Sequence, residues 1–241
     1  MVLGVPNFTA VVKLLDKFSK TIHLTAFEFF DEVALNKVLD AGHAKSPFDS
    51  RTPFYVLLEF EAVSDAVLDE AMAIFETCAE EELIVDGVMS QSIDQLHELW
   101  KLRESISETI SVFTPYKNDI SVLISHLDNF IHDIETIVNK NYPDFEICWF
   151  GHIGDGNLHL NILKPENLSK DEFFSKCQIV NQYVFETVQK YKGSVSAEHG
   201  VGMTKKPYLN YTRSQAEIAY MKKLKAVFDS NGIINPGKIF D

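Results

Sequence analysis

Four side chains in this sequence are of kinds that hold cations or move protons, and they stand in two glycine-containing stretches: His152, His159, Glu198 and His199. The first two lie in WFGHIGDGNLHLNI, residues 149–162. Asp155-Gly156 is a strong two-residue hairpin signal between apolar runs. A turn centred there pairs Gly154 with Asn157, Ile153 with Leu158 and His152 with His159. Directly opposed residues share a face, with Cβ atoms about 4.5–5.5 Å apart. Two imidazoles at that spacing can hold one cation at about 2.0–2.1 Å per Zn–N bond. Strand alternation puts Asn161 on the face of His159 and turns Ile153, Leu158 and Leu160 into a core on the other. The plain alternative is two surface imidazoles beside a tight turn.

The second stretch is SVSAEHGVGMTKK, residues 194–206. Its glycines suit a bend or a close approach to a ligand. In a bent loop Glu198 can face a metal while His199 faces a substrate beside it. Two His and one carboxylate form a catalytic zinc set that leaves a position open. On spacing alone Glu198 has two readings, third ligand or member of an exposed charged loop. The formal net charge is −13, so an anionic substrate would need local positive charge. Arg103 and Ser107 are four apart and share a face of an expected helix, and Lys117 follows on an expected strand. A lone Arg on a helix is ordinarily a solvated charge.

The elements that must position these groups follow from periodicity. Helices are expected over 6–19 with Asn7 as N-cap, 31–39, 65–82, 92–113, 125–139 with Ser125 as N-cap, 169–191 ended by Gly193, and 216–228. Strands are expected over 24–30, 54–62, 83–88 and 116–124, with the hairpin over 145–163. Residues 43–53 read as a loop and Pro115 as a helix stop. Adjacent antiparallel strands alternating with helices give an α+β fold, an antiparallel sheet covered by helices, arranged as a pair of ferredoxin-like split βαβ units. A strand-to-helix G-x-G-x-x-G is absent, so no dinucleotide loop is read.

Composition narrows the function classes. The 241 residues are 46% hydrophobic, enough for a sizeable core. No run of about eighteen apolar residues occurs, so no membrane span is read. The first residues carry neither a secretory nor an Arg-rich transit pattern. Cys78, Cys148 and Cys177 are odd in number and scattered, which fits reduced thiols inside a cell. No Lys/Arg cluster stands out, which disfavours nucleic acid or anionic lipid as a main partner.

The segments AFEFF, PFYVLLE, WFGHIGDGNLHLNI, SVSAEHGVGMTKKPYL and DSNGIINPGKIF together resemble the C-terminal domain of FAD-linked D-2-hydroxyacid dehydrogenases. The family's members act on 2-hydroxyglutarate, D-lactate or glycolate, and the hydroxyglutarate enzymes are nearest in pattern. The resemblance spans essentially all of residues 1–241. It implies a substrate- and metal-binding domain with ferredoxin-like halves, following a separate N-terminal FAD-binding domain not contained in this chain. The chain would then be a fragment or split subunit, inactive alone. Carried over by position, the resemblance implies metal ligands at His152, His159 and Glu198, with Zn²⁺ as the divalent ion. It implies substrate contacts at Arg103, Ser107, Lys117, Asn161 and His199, with His199 as general base. Asn235 falls where relatives approach the flavin. Ser107 stands where the hydroxyglutarate enzymes have Thr, which keeps the hydroxyl and loses a methyl. Implied partners are a small 2-hydroxyacid, an FAD-binding domain and an electron acceptor, and a homodimer is compatible. The compartment would be the mitochondrial matrix in a eukaryote or the cytoplasm in a bacterium. The residues alone also fit a metallohydrolase using the same donors, or a non-catalytic subunit docking on a flavoprotein.

Overall fold

The structure, a computed structural model, describes residues 1–240. Its centre is a seven-stranded sheet in the order β4-β1-β3-β2-β6-β7-β5, with every neighbouring pair antiparallel. The strands are β1 (Val2–Val5), β2 (Leu24–Asp31), β3 (Phe54–Phe60), β4 (Asp86–Val88), β5 (Tyr116–Ser121), β6 (Ile147–His152) and β7 (Asn157–Ile162). The helices are α1 (Phe8–Ser19), α2 (Glu32–Asp40), α3 (Asp65–Glu80), α4 (Ile93–Glu104), α5 (Ile106–Ser111), α6 (Leu127–Asn141), α7 (Lys170–Lys190) and α8 (Gln215–Phe228).

The duplication is visible in the strand order. β1-α1-β2 and β3-α3-β4 interleave as β4-β1-β3-β2, the ferredoxin-like arrangement, with α2 inserted between β2 and β3. β5-α6-β6 and β7-α7 repeat it as β6-β7-β5. The fourth strand of this half is reduced to one bridge, Ser194 against Ser121, whose N–H groups each donate to the other's carbonyl at 2.8 and 3.1 Å. The halves join where β2 pairs with β6.

Alternation along each strand feeds two cores. On one face α1, α3, α6 and α7 pack against residues such as Phe29, Val56, Leu158 and Leu160. On the other face α2, α4 and α5 cover Phe30, Tyr55, Cys148 and Phe150. These three helices cover only part of the second face. The site lies where that cover stops. No helix among the described residues is long and apolar enough to cross a membrane.

Caps explain several boundaries. Asn7 accepts from Ala10 N at 2.9 Å, and Ser169 forms a capping box with Glu172. Four expectations need correction. β1 was not foreseen, and it pairs with both β3 and β4 as a buried four-residue strand too short to show periodicity. The single helix over 92–113 is two, α4 and α5, meeting at Ser105 so that Leu102, Ile106 and Ile110 all reach the second core. Ser125 does not cap α6. It lies in a 3₁₀ turn over Ile124–His126, and α6 starts at Leu127, where its buried apolar row begins. The left-handed residue after α7 is Lys192, with φ 54°, ahead of Gly193.

The hairpin turn is also longer than a two-residue turn. Ile153–Asp155 forms a 3₁₀ turn and Gly156 takes left-handed angles, with Gly156 N donating to Ile153 O at 3.1 Å. This lets Ile153 fill the first core, where it is fully buried. Phe150, not His152, therefore lies opposite His159. A two-residue shift keeps every side chain on its face, so the two histidines still look the same way.

Candidate functional site

The site is a patch of the second face at β2, β6, β7 and β5, roofed by the end of α4 and the start of α5. Its walls are the strands. His152 ends β6 and His159 sits within β7, with ring centroids 5.4 Å apart and planes at 85°. Asn161 is buried two residues further along the same face of β7, and Lys117 lies across from it on β5. The roof supplies Arg103, buried, and Ser107, exposed. The bent 194–206 loop passes beyond β5 and brings in Glu198 and His199. Arg103, Ser107, Lys117, His152, His159, Asn161, Glu198 and His199 all line one cavity of about 210 Å³. Asn235 does not line it. It is exposed in the segment after α8, with φ 45°.

Two buried carboxylates that the sequence reading passed over hold this set in place. Glu28 on β2 lies directly opposite His152 in the ladder and accepts from His152 Nδ1 at 2.8 Å. It also contacts Arg103 Nη2 at 3.0 Å. Asp119 on β5 lies directly opposite His159. Its Oδ2 accepts from the backbone N–H groups of Ala197, Glu198 and His199 at 3.1, 2.8 and 2.9 Å. Its Oδ1 faces His159 Nδ1 at 3.4 Å. A signal existed for Glu28, since an acidic residue inside an apolar strand, AFEFF, is uncommon unless paired; YKNDIS is mostly polar and carries no such signal for Asp119.

Electrostatics follow from burial and these partners. The hydrogen bond to Glu28 raises the His152 pKa, against the opposing effect of partial burial. Burial, aided by the Arg103 charge, drives His159 down to about 3, so its ring is neutral at physiological pH. Burial lowers the Arg103 pKa, and Glu28 opposes that shift. The guanidinium also lies over the Phe150 ring at 4.8 Å. The His199 ring is nearly parallel to His159, with centroids 5.9 Å apart, and its Nδ1 is 3.8 Å from Asp119 Oδ2.

The donor set suits a divalent cation. Ligand atoms of His152, His159 and Glu198 lie within 4.8 Å of one another. A tetrahedral ion with bonds of about 2.1 Å spaces its ligands by roughly 3.4 Å. His152 Nε2 and Glu198 Oε1 are already 3.2 Å apart. Two imidazoles and one carboxylate are zinc-type donors. Asp119, His159 and His199 form an overlapping group, in which Asp119 Oδ2 holds three backbone donors and Oδ1 faces His159 Nδ1.

Comparison with known proteins gives a consistent picture. The family described as FAD linked oxidases, C-terminal domain, matches residues 1–239. A D-2-hydroxyglutarate dehydrogenase of Stutzerimonas stutzeri (strain A1501) is 62% identical over 240 residues, covering 100% of this chain and 52% of the relative. Another D-2-hydroxyglutarate dehydrogenase, of Xanthomonas citri pv. viticola, is 46% identical over 241 residues, covering 100% of this chain and 51% of the relative. The chain thus spans about half the length of the curated relatives it matches. Among solved structures, 4-ethylphenol oxidase from Gulosibacter chungangensis, in an isoeugenol complex, has the same fold. The TM-score is 0.64 at 12% identity, over 99% of this chain and 53% of that one.

Proposed function

The chain belongs to the FAD linked oxidase C-terminal domain family, and from that premise we propose that it is the substrate- and metal-binding part of a flavoenzyme that oxidises D-2-hydroxyglutarate to 2-oxoglutarate. The observation that carries this reading is the convergence of three zinc-type donors, a buried Arg and an exposed Lys on one cavity. A 2-hydroxydicarboxylate needs that combination: a chelating hydroxyl and carboxylate at one end, and a second carboxylate at the other.

His152, His159 and Glu198 would hold the cation, which supplies Lewis acidity that lowers the pKa of a substrate hydroxyl. FAD, carried by a domain outside this chain, supplies the hydride acceptor. The chain's own residues do the binding and the proton transfer. His199 takes the hydroxyl proton on Nε2, the ring nitrogen away from Asp119. Arg103 clamps a carboxylate, its guanidinium fixed in place by Glu28 and Phe150. Lys117 has no ion-pair or hydrogen-bond partner among the described residues and meets the distal carboxylate at the cavity mouth. Asn161 Nδ2 donates to Cys148 O and His159 O at 3.4 and 3.2 Å, which fixes this side chain in the cavity wall beside the substrate. Ser107 adds a hydroxyl beside Arg103.

The surface supports a chain that works joined to another domain. No residue of α8 is buried. Tyr220, Leu224, Val227 and Phe228 lie on one side of it at helical spacing and are 63–78% exposed. Ile233 and Ile234, just after α8 in the chain, are exposed as well. A contiguous apolar surface of this kind marks an interaction site, and the FAD-binding domain is its occupant in this reading.

The test is to assay the purified chain alone and fused behind the N-terminal half of the Stutzerimonas stutzeri relative. The chain alone should bind one Zn²⁺ and turn over no hydroxyacid. The fusion should reduce its flavin with D-2-hydroxyglutarate. Absence of Zn²⁺ binding, or turnover by the chain alone, would overturn the proposal.

A further inference from the structure

The cavity described above has a second layer that neither the sequence motifs nor the comparisons assign. We propose that Glu28 and Asp119 are paired positioning residues, each fixing which ring nitrogen of the histidine opposite it carries the proton, so that both imidazoles offer a bare Nε2 to one point. The proposal rests on reading His152, His159 and Glu198 as a cation site.

The geometry is that of two cross-strand pairs flanking one hairpin. β2 and β5 lie on either side of β6-β7 in the sheet. Each contributes one carboxylate in register with one histidine, Glu28 with His152 and Asp119 with His159. From β2 to β5 the order is carboxylate, imidazole, imidazole, carboxylate, with the two pairs offset by two residues along the strands because Phe150, not His152, lies opposite His159. Both carboxylates are buried, with side chains 8% and 3% exposed. A buried carboxylate is costly unless it is paired, and here the pairing is directional. The Glu28 carboxylate accepts at His152 Nδ1, at 2.8 Å, so the Nδ1–H tautomer is favoured. The other nitrogen then looks at Glu198 Oε1, 3.2 Å away. Asp119 Oδ1 has no hydrogen-bond partner and faces His159 Nδ1 at 3.4 Å. A proton on that nitrogen satisfies it and leaves His159 Nε2 bare.

Asp119 does more than Glu28. Its Oδ2 gathers three successive N–H groups and so fixes the turn that carries Glu198 and His199. One residue thereby sets the ring of one donor and the backbone of another. Carboxylates behind ligating imidazoles fix ring orientation and raise ligand basicity, and losing one typically costs about 10–100-fold in metal affinity.

The experiment uses the purified chain, wild type and the variants E28A, E28Q, D119N and D31N. Ring nitrogen–proton correlation NMR on metal-free protein reads the tautomers of His152 and His159. Competition against a chromophoric chelator reads Zn²⁺ affinity. In wild type, at alkaline pH where His152 has given up its second proton, both rings should be Nδ1–H. E28A should move His152 toward Nε2–H and weaken Zn²⁺ at least tenfold. E28Q leaves one oxygen for two donors, His152 Nδ1–H and Arg103 Nη2–H, and should weaken Zn²⁺ less than E28A does. D119N can keep its oxygen on the backbone donors and turn its amide to His159 Nδ1, which should switch that ring to Nε2–H and weaken Zn²⁺ at least tenfold. D31N alters a buried carboxylate that holds only backbone N–H groups, of Ala34 and Trp149. It should leave both tautomers and the affinity unchanged.

An Nε2–H tautomer at either ring in wild type overturns the proposal and needs no variant to fold. Tautomers unmoved in D119N, or moved equally in D31N, also overturn it. If wild type binds no Zn²⁺ but the tautomers respond as stated, the cation reading fails and the positioning role of the carboxylates stands.

Discussion

The turn between β6 and β7 is the place where one atom should unsettle the whole site. Gly156 has φ +68°, and a Cβ added there would lie 2.0 Å from the carbonyl oxygen of Val122. That contact is with backbone, so the turn itself must move. Moving it breaks the hydrogen bond from Val122 N to Gly156 O, 3.0 Å long, which ties the hairpin to the end of β5. Gly156→Ala therefore adds left-handed strain of about 1–2 kcal/mol and strands a buried donor at about 1–3 kcal/mol. The sum is about 2–5 kcal/mol, which for a chain of this size lowers Tm by roughly 5–15 °C. Gly154, two residues earlier, supplies the internal control. Its φ is not positive and an added Cβ meets nothing within 4 Å. Gly154→Ala should stay within about 0.5 kcal/mol of wild type. Thermal unfolding of both variants, with and without Zn²⁺, is the assay. His152 and His159 stand on either shoulder of this turn, so Gly156→Ala should also weaken Zn²⁺ binding at least tenfold. Equal melting of the two variants, or a Gly156→Ala protein within 2 °C of wild type, would refute this account of the hairpin.

Other expectations can be checked on the same material. Asp31 is buried and its pKa is raised by that burial from 3.8 to about 7, so it favours the folded state most below its unfolded pKa. Its contribution should fall away as pH rises from about 4 to 7, by roughly 4 kcal/mol in all; Asp31→Asn should flatten that slope in urea unfolding measured across this pH range. In the fusion protein, Lys117→Met should lower kcat/KM for D-2-hydroxyglutarate by about 10–100-fold, the loss of a charged hydrogen bond, and that for D-lactate, which lacks the distal carboxylate, by under threefold. Leu224→Asp with Phe228→Asp should leave the melting of the isolated chain unchanged, since both side chains are exposed, at 63% and 78%. The same pair should abolish binding of the chain to a separately expressed FAD-binding half in gel filtration. Retained binding would remove α8 as the docking face.

Local periodicity carried a large part of this molecule. The alternation in WFGHIGDGNLHLNI placed Ile153, Leu158 and Leu160 in a core and His152, His159 and Asn161 on the opposite face, and this survived a turn of a different kind. The reason is that a two-residue slip in register leaves side-chain direction untouched. Capping chemistry at Asn7 likewise acts over three residues and was readable at that range, whereas Ser125, read as a cap, lies in a 3₁₀ turn ahead of α6. The Glu198-His199 pair stood out by residue type alone, although nothing along the chain fixed its distance from the hairpin.

Pairing between distant strands was decided only by the assembled sheet. β1 is too short to carry a period, yet it lies between β3 and β4 in the sheet. Glu28 is far from His152 in sequence and Asp119 from His159, and each pair meets because β2 and β5 flank the hairpin in one register. That register is set by loop closure and by the burial of both sheet faces at once, which no window of sequence contains. The residue types that could do chemistry were thus written in the chain. Their convergence on one cavity, and the two carboxylates behind the imidazoles, exist only once the two ferredoxin-like halves share a sheet.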